Sequence, residues 1–185
     1  MKRAVFLDRD GVINRAIVRD GKPYPPQNLN ELEVFPGMLE DLERLHSAGF
    51  MLIVVTNQPD VARGTQCREM VEIINAAIKS QLPIDEFFVC YHDDADHCHC
   101  RKPKPGALQQ SAEKYSLNLK DCFMIGDRWS DIEAGRSVGC KTILIDCQYN
   151  ETKNVNPDYR IENFRQAVEL ILMEKGKNEC AKRSL

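Results

Sequence analysis

The 185-residue sequence has no excess of positive charge: 25 Lys and Arg stand against 28 Asp and Glu, a formal net charge of −3. It therefore lacks the basic footprint that drives non-specific binding to nucleic acid or anionic membranes, and neither is expected as a partner. Long apolar runs are missing as well. The N-terminal run AVFL stops at Asp8, far short of a signal-peptide core or of the roughly 20 apolar residues a membrane span needs. A cytoplasmic location is the expectation. Internal repeats and low-complexity tracts are absent, and 43% hydrophobic, 29% charged, 10 Gly and 9 Pro lie near globular averages, which excludes collagen-like or disordered classes. One domain over residues 1–175 suits this length, with a polar, frayed tail over 176–185. Such a chain buries about 70% of its unfolded surface, so its core needs no disulfides. No long exposed apolar stripe is left over after core assignment, and a monomer is expected.

Histidine is scarce. Of four in the chain, His92, His97 and His99 fall between Cys90 and Cys100, in a stretch that also holds Cys98. The other five of the eight cysteines, Cys67, Cys122, Cys140, Cys147 and Cys180, lie apart and read as small, partly buried hydrophobes. Uneven spacing without an export signal favours metal binding over a disulfide framework. Cys90 and His92 are separated by one residue, as are Cys98 and Cys100, so on extended segments each pair presents both ligands to one side. The result is a Cys₃His tetrahedron suited to Zn²⁺. His99 then points away, while spacing leaves His97 open as an alternative ligand. Four protein ligands close the site, so the zinc is structural: it orders a loop over 90–102 whose Asp93-Asp94-Ala95-Asp96 stretch is too polar to pack alone, and fixes Arg101 and Lys102 beside it.

Apolar runs at residues 3–8, 50–55, 85–92, 122–126 and 141–146 predict five mostly buried strands. Helical spacing joins Leu39, Leu42 and Leu45 after Pro36-Gly37, and Met70, Val71, Ile74 and Ile78 after Thr65. Further helices are predicted over 105–116 with Pro105 in the first turn, over 129–138, and over 162–174 with Asn163 as cap. The alternation predicts an α/β three-layer sandwich with a mostly parallel central sheet. Residues 14–36, with five of their positions taken by Gly21, Pro23, Pro25, Pro26 and Pro36, show no period and predict a flap over one sheet edge.

The first strand runs into Asp8-Arg9-Asp10-Gly11, and ligands of open α/β sheets bind beyond the carboxyl ends of strands. Two carboxylates two residues apart point the same way, which suits one as nucleophile or metal ligand and the other as general acid/base. Thr56-Asn57-Gln58, Arg101-Lys102-Pro103 and Gly126-Asp127 follow three other strands. Two carboxylates about 4 Å apart repel by about 4 kcal/mol at an effective dielectric near 20, so Asp8 and Asp127 in one crevice require a cation, with Mg²⁺ the hard ion that fits. A Thr56 hydroxyl and a Lys102 ammonium would bind the remaining oxygens of a phosphomonoester. A non-catalytic zinc module that contacts nucleic acid is a poor rival: Asp93 to Asp96 would repel a phosphate backbone, and Asp8, Asp10 and Asp127 would have no use.

In that order and spacing, LDRDGVI, VVTNQ, RKPKPG and MIGDRWSDIEAG resemble the four motifs of the haloacid dehalogenase-like (HAD) phosphohydrolases, over about residues 3 to 147. The resemblance implies a Rossmann-like HAD fold. It implies that Asp8 attacks phosphorus to form an aspartyl-phosphate, that Asp10 acts as general acid/base, and that Thr56 and Lys102 stabilise the phosphoryl group. It further implies Mg²⁺ held by Asp8, the Asp10 backbone carbonyl and Asp127, with Asp131 orienting its neighbours. Zinc directly before RKP resembles the small, capless subgroup that contains the D-glycero-D-manno-heptose 1,7-bisphosphate and histidinol-phosphate phosphatases. Residues 57–64 and 33–37 resemble the heptose enzymes, which implies removal of the 7-phosphate. The short step from His92 to Cys98 is similar to the histidinol phosphatases, which keeps that substrate as the alternative. In a capless enzyme substrate selection falls to loops, and Asn57, Arg101, Arg128 and Arg19, the last with Ala16 in the flap, are the candidates; Trp129 reads as a packing residue.

Overall fold

The protein is described by a computed structural model covering residues 2–147 and 155–183, with side chains described as far as Gly176. In chain order the elements are β1 (Arg3–Leu7), β2 (Ile17–Arg19), β3 (Lys22–Tyr24), α1 (Met38–Ser47), β4 (Phe50–Asn57), α2 (Arg68–Gln81) and β5 (Glu86–Cys90). They continue with α3 (Gly106–Tyr115), β6 (Phe123–Gly126), α4 (Trp129–Ser137), β7 (Lys141–Ile145), β8 (Tyr159–Ile161) and α5 (Phe164–Arg183). All five strands read from apolar runs form, and they enter a six-stranded sheet in the order β5-β4-β1-β6-β7-β8. Every pairing in it is parallel.

Alternation along the strands divides the core between two faces. On one, Val5, Leu7, Leu52 and Val54 pack with Leu42 and Leu45 of α1, Ile74 and Ile78 of α2, and Val168 and Ile171 of α5. On the other, Ala4, Phe6, Ile53, Val55 and Met124 meet Ala107 and Leu108 of α3 and Ala134 of α4. Both faces are covered, which is why the strands read as continuous apolar runs and not as alternating ones. This is the expected three-layer sandwich. The chain leaves β1 for β4 and β5 on one side and returns to β6, β7 and β8 on the other, so the strand order reverses at β1. Leu7 lies beside both Val54 and Ile125, which sets the carboxyl ends of β1, β4 and β6 side by side at that reversal, where a ligand crevice is expected.

Three elements differ from the sequence expectations. β8 pairs with β7 although only Ile161 of its three residues is buried, too short a pattern to show a period. The flap is not structureless. Asp20 and Gly21, both at positive φ, turn β2 into β3 as an antiparallel hairpin, and bonds from Arg15 N to Glu33 O (2.8 Å) and from Phe35 N to Ile13 O (3.0 Å) tie its base. Residues 176–183 are helical, where a frayed tail was expected, because α5 continues to Arg183; at its start Asn163 caps Gln166 as expected. Of the scattered cysteines, Cys122 and Cys140 are buried, Cys67 is exposed, Cys147 is half-buried, and Cys180 lies outside the described side chains. Among the described residues, no helix is long and apolar enough to cross a membrane.

Helix α4 approaches the sheet across Gly135, where an added Cβ would sit 2.7 Å from Met124 Cβ and 2.9 Å from Thr142 Cγ2. Gly135→Ala is expected to destabilise the protein by about 1–3 kcal/mol, despite the better helix propensity of alanine, in a urea unfolding titration.

Candidate active site

Asp8 follows β1, and its backbone N–H bonds to Ile125 O on β6 (2.9 Å), so the loop after β1 is held against the loop after β6. There Asp127 is fully buried, and neither of its carboxylate oxygens has a hydrogen-bond partner in the protein. One oxygen each from Asp8, Asp127 and Asp131 lie within 4.8 Å of one another. Burial, followed by the charges of Asp8 and Asp131, pushes the Asp127 carboxyl well above its ordinary range. Burial also pushes Asp8 up to about 6, against the downward pull of Lys102. Carboxylates that resist ionising and leave oxygens unpartnered in a buried cluster suit a hard divalent cation, so the residues present fit Mg²⁺. Gly11, at φ +95°, makes the close approach possible: a Cβ there would fall 1.9 Å from Asp127 Oδ2.

Lys102 is buried opposite this cluster. Its Nζ donates to Asp8 Oδ1 (2.8 Å) and to Val55 O (2.7 Å), and it pairs with Asp131 Oδ1 at 2.6 Å. Burial works against its charge, but Asp131 and Asp8 outweigh it and hold the ammonium above its usual range. Asp131 in turn accepts the Arg128 N–H through Oδ2 (3.0 Å), consistent with the expected orienting part. The backbone of Lys102 is also fixed: Asn57 Nδ2 donates to Lys102 O (2.9 Å), and Lys102 N–H donates to Asn57 Oδ1 (3.0 Å). Both ends of the Asn57 amide are thus engaged by protein backbone. The side chain expected to touch substrate also clamps Lys102.

Asp10 is surrounded by donors. Arg9 approaches its carboxylate through Nε (3.1 and 3.2 Å) and Nη2 (2.9 Å), while Asn14 Nδ2 (3.0 Å) and Gln58 Nε2 (2.8 Å) complete the shell. Gln58 Nε2 also reaches Thr56 Oγ1 at 3.0 Å, joining the acid to the hydroxyl. Arg9 is itself fully buried and donates through Nη1 to Asn75 Oδ1 (2.8 Å) on α2. Sequence reading assigned no part to Gln58, Asn14 or Asn75. The available signal was Asn75, a polar residue on the buried face of α2 beside Val71, Ile74 and Ile78.

The cysteine cluster assembles from the end of β5 and the loop after it. Cys90 Sγ lies 3.7 Å from Cys98 Sγ and 3.2 Å from Cys100 Sγ, with Cys98 and Cys100 3.6 Å apart. His92 Nδ1 is 3.6 Å from Cys90 Sγ and 3.4 Å from Cys100 Sγ. A tetrahedron with Zn–S of about 2.3 Å has S···S edges near 3.8 Å, so the donor set fits zinc in both chemistry and dimensions. His97 and His99 are exposed and stand outside the group, which removes the alternative that spacing left open.

Asp8, Asp10, Thr56, Asn57, Lys102 and Asp131 line one crevice of about 370 Å³, with Arg101 and Arg128 at its wall. Arg101 is mostly buried. It donates from Nε to Asp94 Oδ1 (2.8 Å), and its Nη1 is buried without a hydrogen-bond partner. Arg19 does not line the crevice: its guanidinium lies over the Tyr24 ring, 5.8 Å from the centroid. Lys22, Pro23 and Tyr24 are the hairpin residues that reach the crevice, joined by Asp60, Arg63 and Ser130, which lie within segments that carry the family resemblance but were given no part of their own. Trp129, expected to pack, is 39% exposed.

This combination of fold and site is matched among known proteins. A family model described as HAD-hydrolase-like covers residues 99–167. The D-glycero-beta-D-manno-heptose-1,7-bisphosphate 7-phosphatase of Pseudomonas aeruginosa is 36% identical over 146 residues, 76% of this chain and 79% of that protein. The enzyme of the same name from Helicobacter pylori strain 26695 is 32% identical over 175 residues, 91% of this chain and 97% of that one. The crystal structure of the B. bronchiseptica D,D-heptose 1,7-bisphosphate phosphatase, complexed with magnesium and phosphate, superposes with a TM-score of 0.80 at 28% identity, covering 94% of this chain and 99% of that one. The chain belongs to the HAD-like phosphatase family. Within that family, the relatives it is similar to are the heptose bisphosphate phosphatases.

Asn57→Ala removes both backbone bonds to Lys102 while leaving the ammonium in place. It is expected to lower phosphatase kcat by about 10–100-fold with a much smaller change in KM, read by steady-state phosphate release. An equal loss in both parameters would return Asn57 to substrate contact.

Proposed function

We propose that the protein is a Mg²⁺-dependent phosphomonoesterase that removes the 7-phosphate of D-glycero-β-D-manno-heptose 1,7-bisphosphate. The observation that carries this reading is the convergence of Asp8, Asp127 and Lys102 beside a crevice whose wall holds a second, half-buried cation, Arg101, with an Nη1 that has no hydrogen-bond partner in the protein. Lys102 and the cation site serve the phosphate that is transferred, and Arg101 and Arg128 are placed for the one that is not. The names of the P. aeruginosa and H. pylori relatives support the same substrate and the β anomer.

Asp8 attacks phosphorus, forming the P–Oδ bond as the P–O7 bond breaks, and Asp10 delivers its proton to the departing sugar oxygen. Asp10, now a carboxylate, takes a proton from water as that water attacks phosphorus, and cleavage of the P–Oδ bond frees inorganic phosphate and restores Asp8. Thr56 and Lys102 hold the phosphoryl oxygens throughout, with Asp131 keeping Lys102 in place. Asp8, the Asp10 backbone carbonyl and Asp127 would hold Mg²⁺, which would supply positive charge to the phosphoryl oxygens. Cys90, His92, Cys98 and Cys100 would hold a structural Zn²⁺, which would fix Arg101 and Lys102. The second reading, histidinol phosphate, is favoured by one observation only, the short step from His92 to Cys98.

Phosphate release from both anomers of the heptose bisphosphate and from histidinol phosphate tests the substrate. The β bisphosphate is expected to have the highest kcat/KM, and a preference for histidinol phosphate would overturn it. Asp8→Asn is expected to lower turnover of every ester by at least about 1,000-fold, and omission of Mg²⁺ from the zinc-replete enzyme to abolish it until Mg²⁺ is returned. Cys100→Ser is expected to lose zinc by elemental analysis together with most activity; a full zinc complement in that variant would remove Cys100 from the ligand set.

A further inference from the structure

The mouth of the crevice is crossed by a second charge arrangement that takes no part in the chemistry above. The loop after β4 folds back on itself, with Arg63 N bonded to Pro59 O (3.1 Å) and Thr65 N to Asp60 O (2.9 Å), and projects Arg63 toward the zinc loop. Arg63 grips Asp93 with two parallel bonds, Nε to Oδ2 at 2.8 Å and Nη2 to Oδ1 at 2.7 Å. Asp93 is not a mobile partner. It opens a single 3₁₀ turn over Asp94–Asp96, in which Asp93 N–H donates to Asp96 Oδ2 (2.7 Å) and Asp96 N–H to Asp93 O (3.2 Å). The adjacent Asp94 holds Arg101 through Nε (2.8 Å), and Arg101 Nη2 lies 4.0 Å from Asp93 Oδ1. Two consecutive carboxylates therefore take one arginine from each of two loops, and both arginines line the crevice.

Stability does not explain the arrangement. Arg63 and Asp93 side chains are 45% and 28% exposed, and Asp94 is 82% exposed; ion pairs that open to water contribute little to folding. Bidentate geometry contributes direction instead, because a planar fork fixes the carboxylate it grips. The Cys90, His92, Cys98 and Cys100 cluster lies at the inner side of the 90–102 loop, and among the described residues Arg63 is the one that reaches across to Asp93 from the loop after β4. With Nε spent on Asp94, the position of the turn decides where the unpartnered Nη1 of Arg101 stands.

We propose that Arg63 is a specificity-determining positioning residue: acting through Asp93 and the turn that carries Asp94, it sets the place of the Arg101 guanidinium and so the preference for substrates with a second anionic group. This inference rests on the phosphatase reading above. Arg63 need not touch substrate for this, and the pair with Asp93 leaves one Nη1 contact, to Asp60 Oδ1 at 3.4 Å within its own loop.

The test compares kcat/KM for heptose 1,7-bisphosphate with that for p-nitrophenyl phosphate, a monoester without a second phosphate, in the zinc- and Mg²⁺-loaded enzyme. Arg63→Gln and Asp93→Asn are each expected to reduce the preference for the bisphosphate by about 5–10-fold, and the double variant no further, because the two side chains act as one unit. The exchange Arg63→Asp with Asp93→Arg is expected to recover part of the preference. Retention of the wild-type preference in Arg63→Gln would overturn the proposal, as would strictly additive losses, which would mean that Arg63 contacts substrate directly. Loss of zinc in these variants would also overturn it by showing a merely structural role. A wild-type enzyme with no preference for the bisphosphate would overturn the substrate reading and this inference together, whereas a preference that survives the substitutions overturns this inference alone.

Discussion

A single buried ammonium, Lys102, is the interaction on which the arrangement of the site depends. It has left water at a large desolvation cost, and only the carboxylates of Asp8 and Asp131 with the carbonyl of Val55 compensate it. Those partners come from the ends of β1 and β4 and from the first turn of α4. Removing one would leave the other charges buried and unbalanced, so the group stands or falls as a unit. Asp127, with both oxygens unpartnered, is the part of that unit which protein groups do not complete. Its need for a cation follows from the same low-dielectric setting that strengthens the Lys102 pairs.

The zinc-type cluster is coupled to this unit by covalent succession and by backbone bonds. Cys100 precedes Arg101 and Lys102 directly, and Gln58 N–H donates to Cys90 O at 2.7 Å while the Gln58 side chain reaches Asp10 and Thr56. One face of the cluster thus sets the two cations and the other sets the donor that joins acid to hydroxyl. Asn57 adds a third tie, from β4 to the Lys102 backbone. A loop rich in aspartate, unable to bury an apolar face, obtains its order from these ties, and the Arg63 fork on Asp93 adds another on its outer side.

The elements that the sequence showed were those with a strong local pattern. Continuous apolar runs gave β1, β4, β5, β6 and β7 because both faces of the sheet are covered, whereas β8, with one buried residue, had no pattern to show. Asp8, Asp10, Thr56, Lys102 and Asp127 were legible because each follows a strand whose carboxyl end must meet the others. The spacing of Cys90, His92, Cys98 and Cys100 was legible for an equally local reason, and the structure excluded His97 only by placing it outside the cluster. The flap reads as a loop although Asp20-Gly21 is a hairpin signal, and within it Lys22, Pro23 and Tyr24 line the crevice while Arg19, the cross-strand partner of Lys22 next to the turn, does not.

By itself the sequence determined the layered α/β architecture and the chemistry of the carboxylate and thiol donors, since periodicity and short-range spacing carry both, and four motifs in order carried the resemblance to the family. Tertiary structure alone decided which polar groups meet. That Asn57 clamps the Lys102 backbone, that Arg9 is buried against Asn75, and that Arg63 finds Asp93 are facts about residues 30 to 66 positions apart. No local pattern encodes such pairs, because they exist only after parallel strands have brought separate loops to one edge of the sheet, and there the cost of an unpaired buried charge selects the partner.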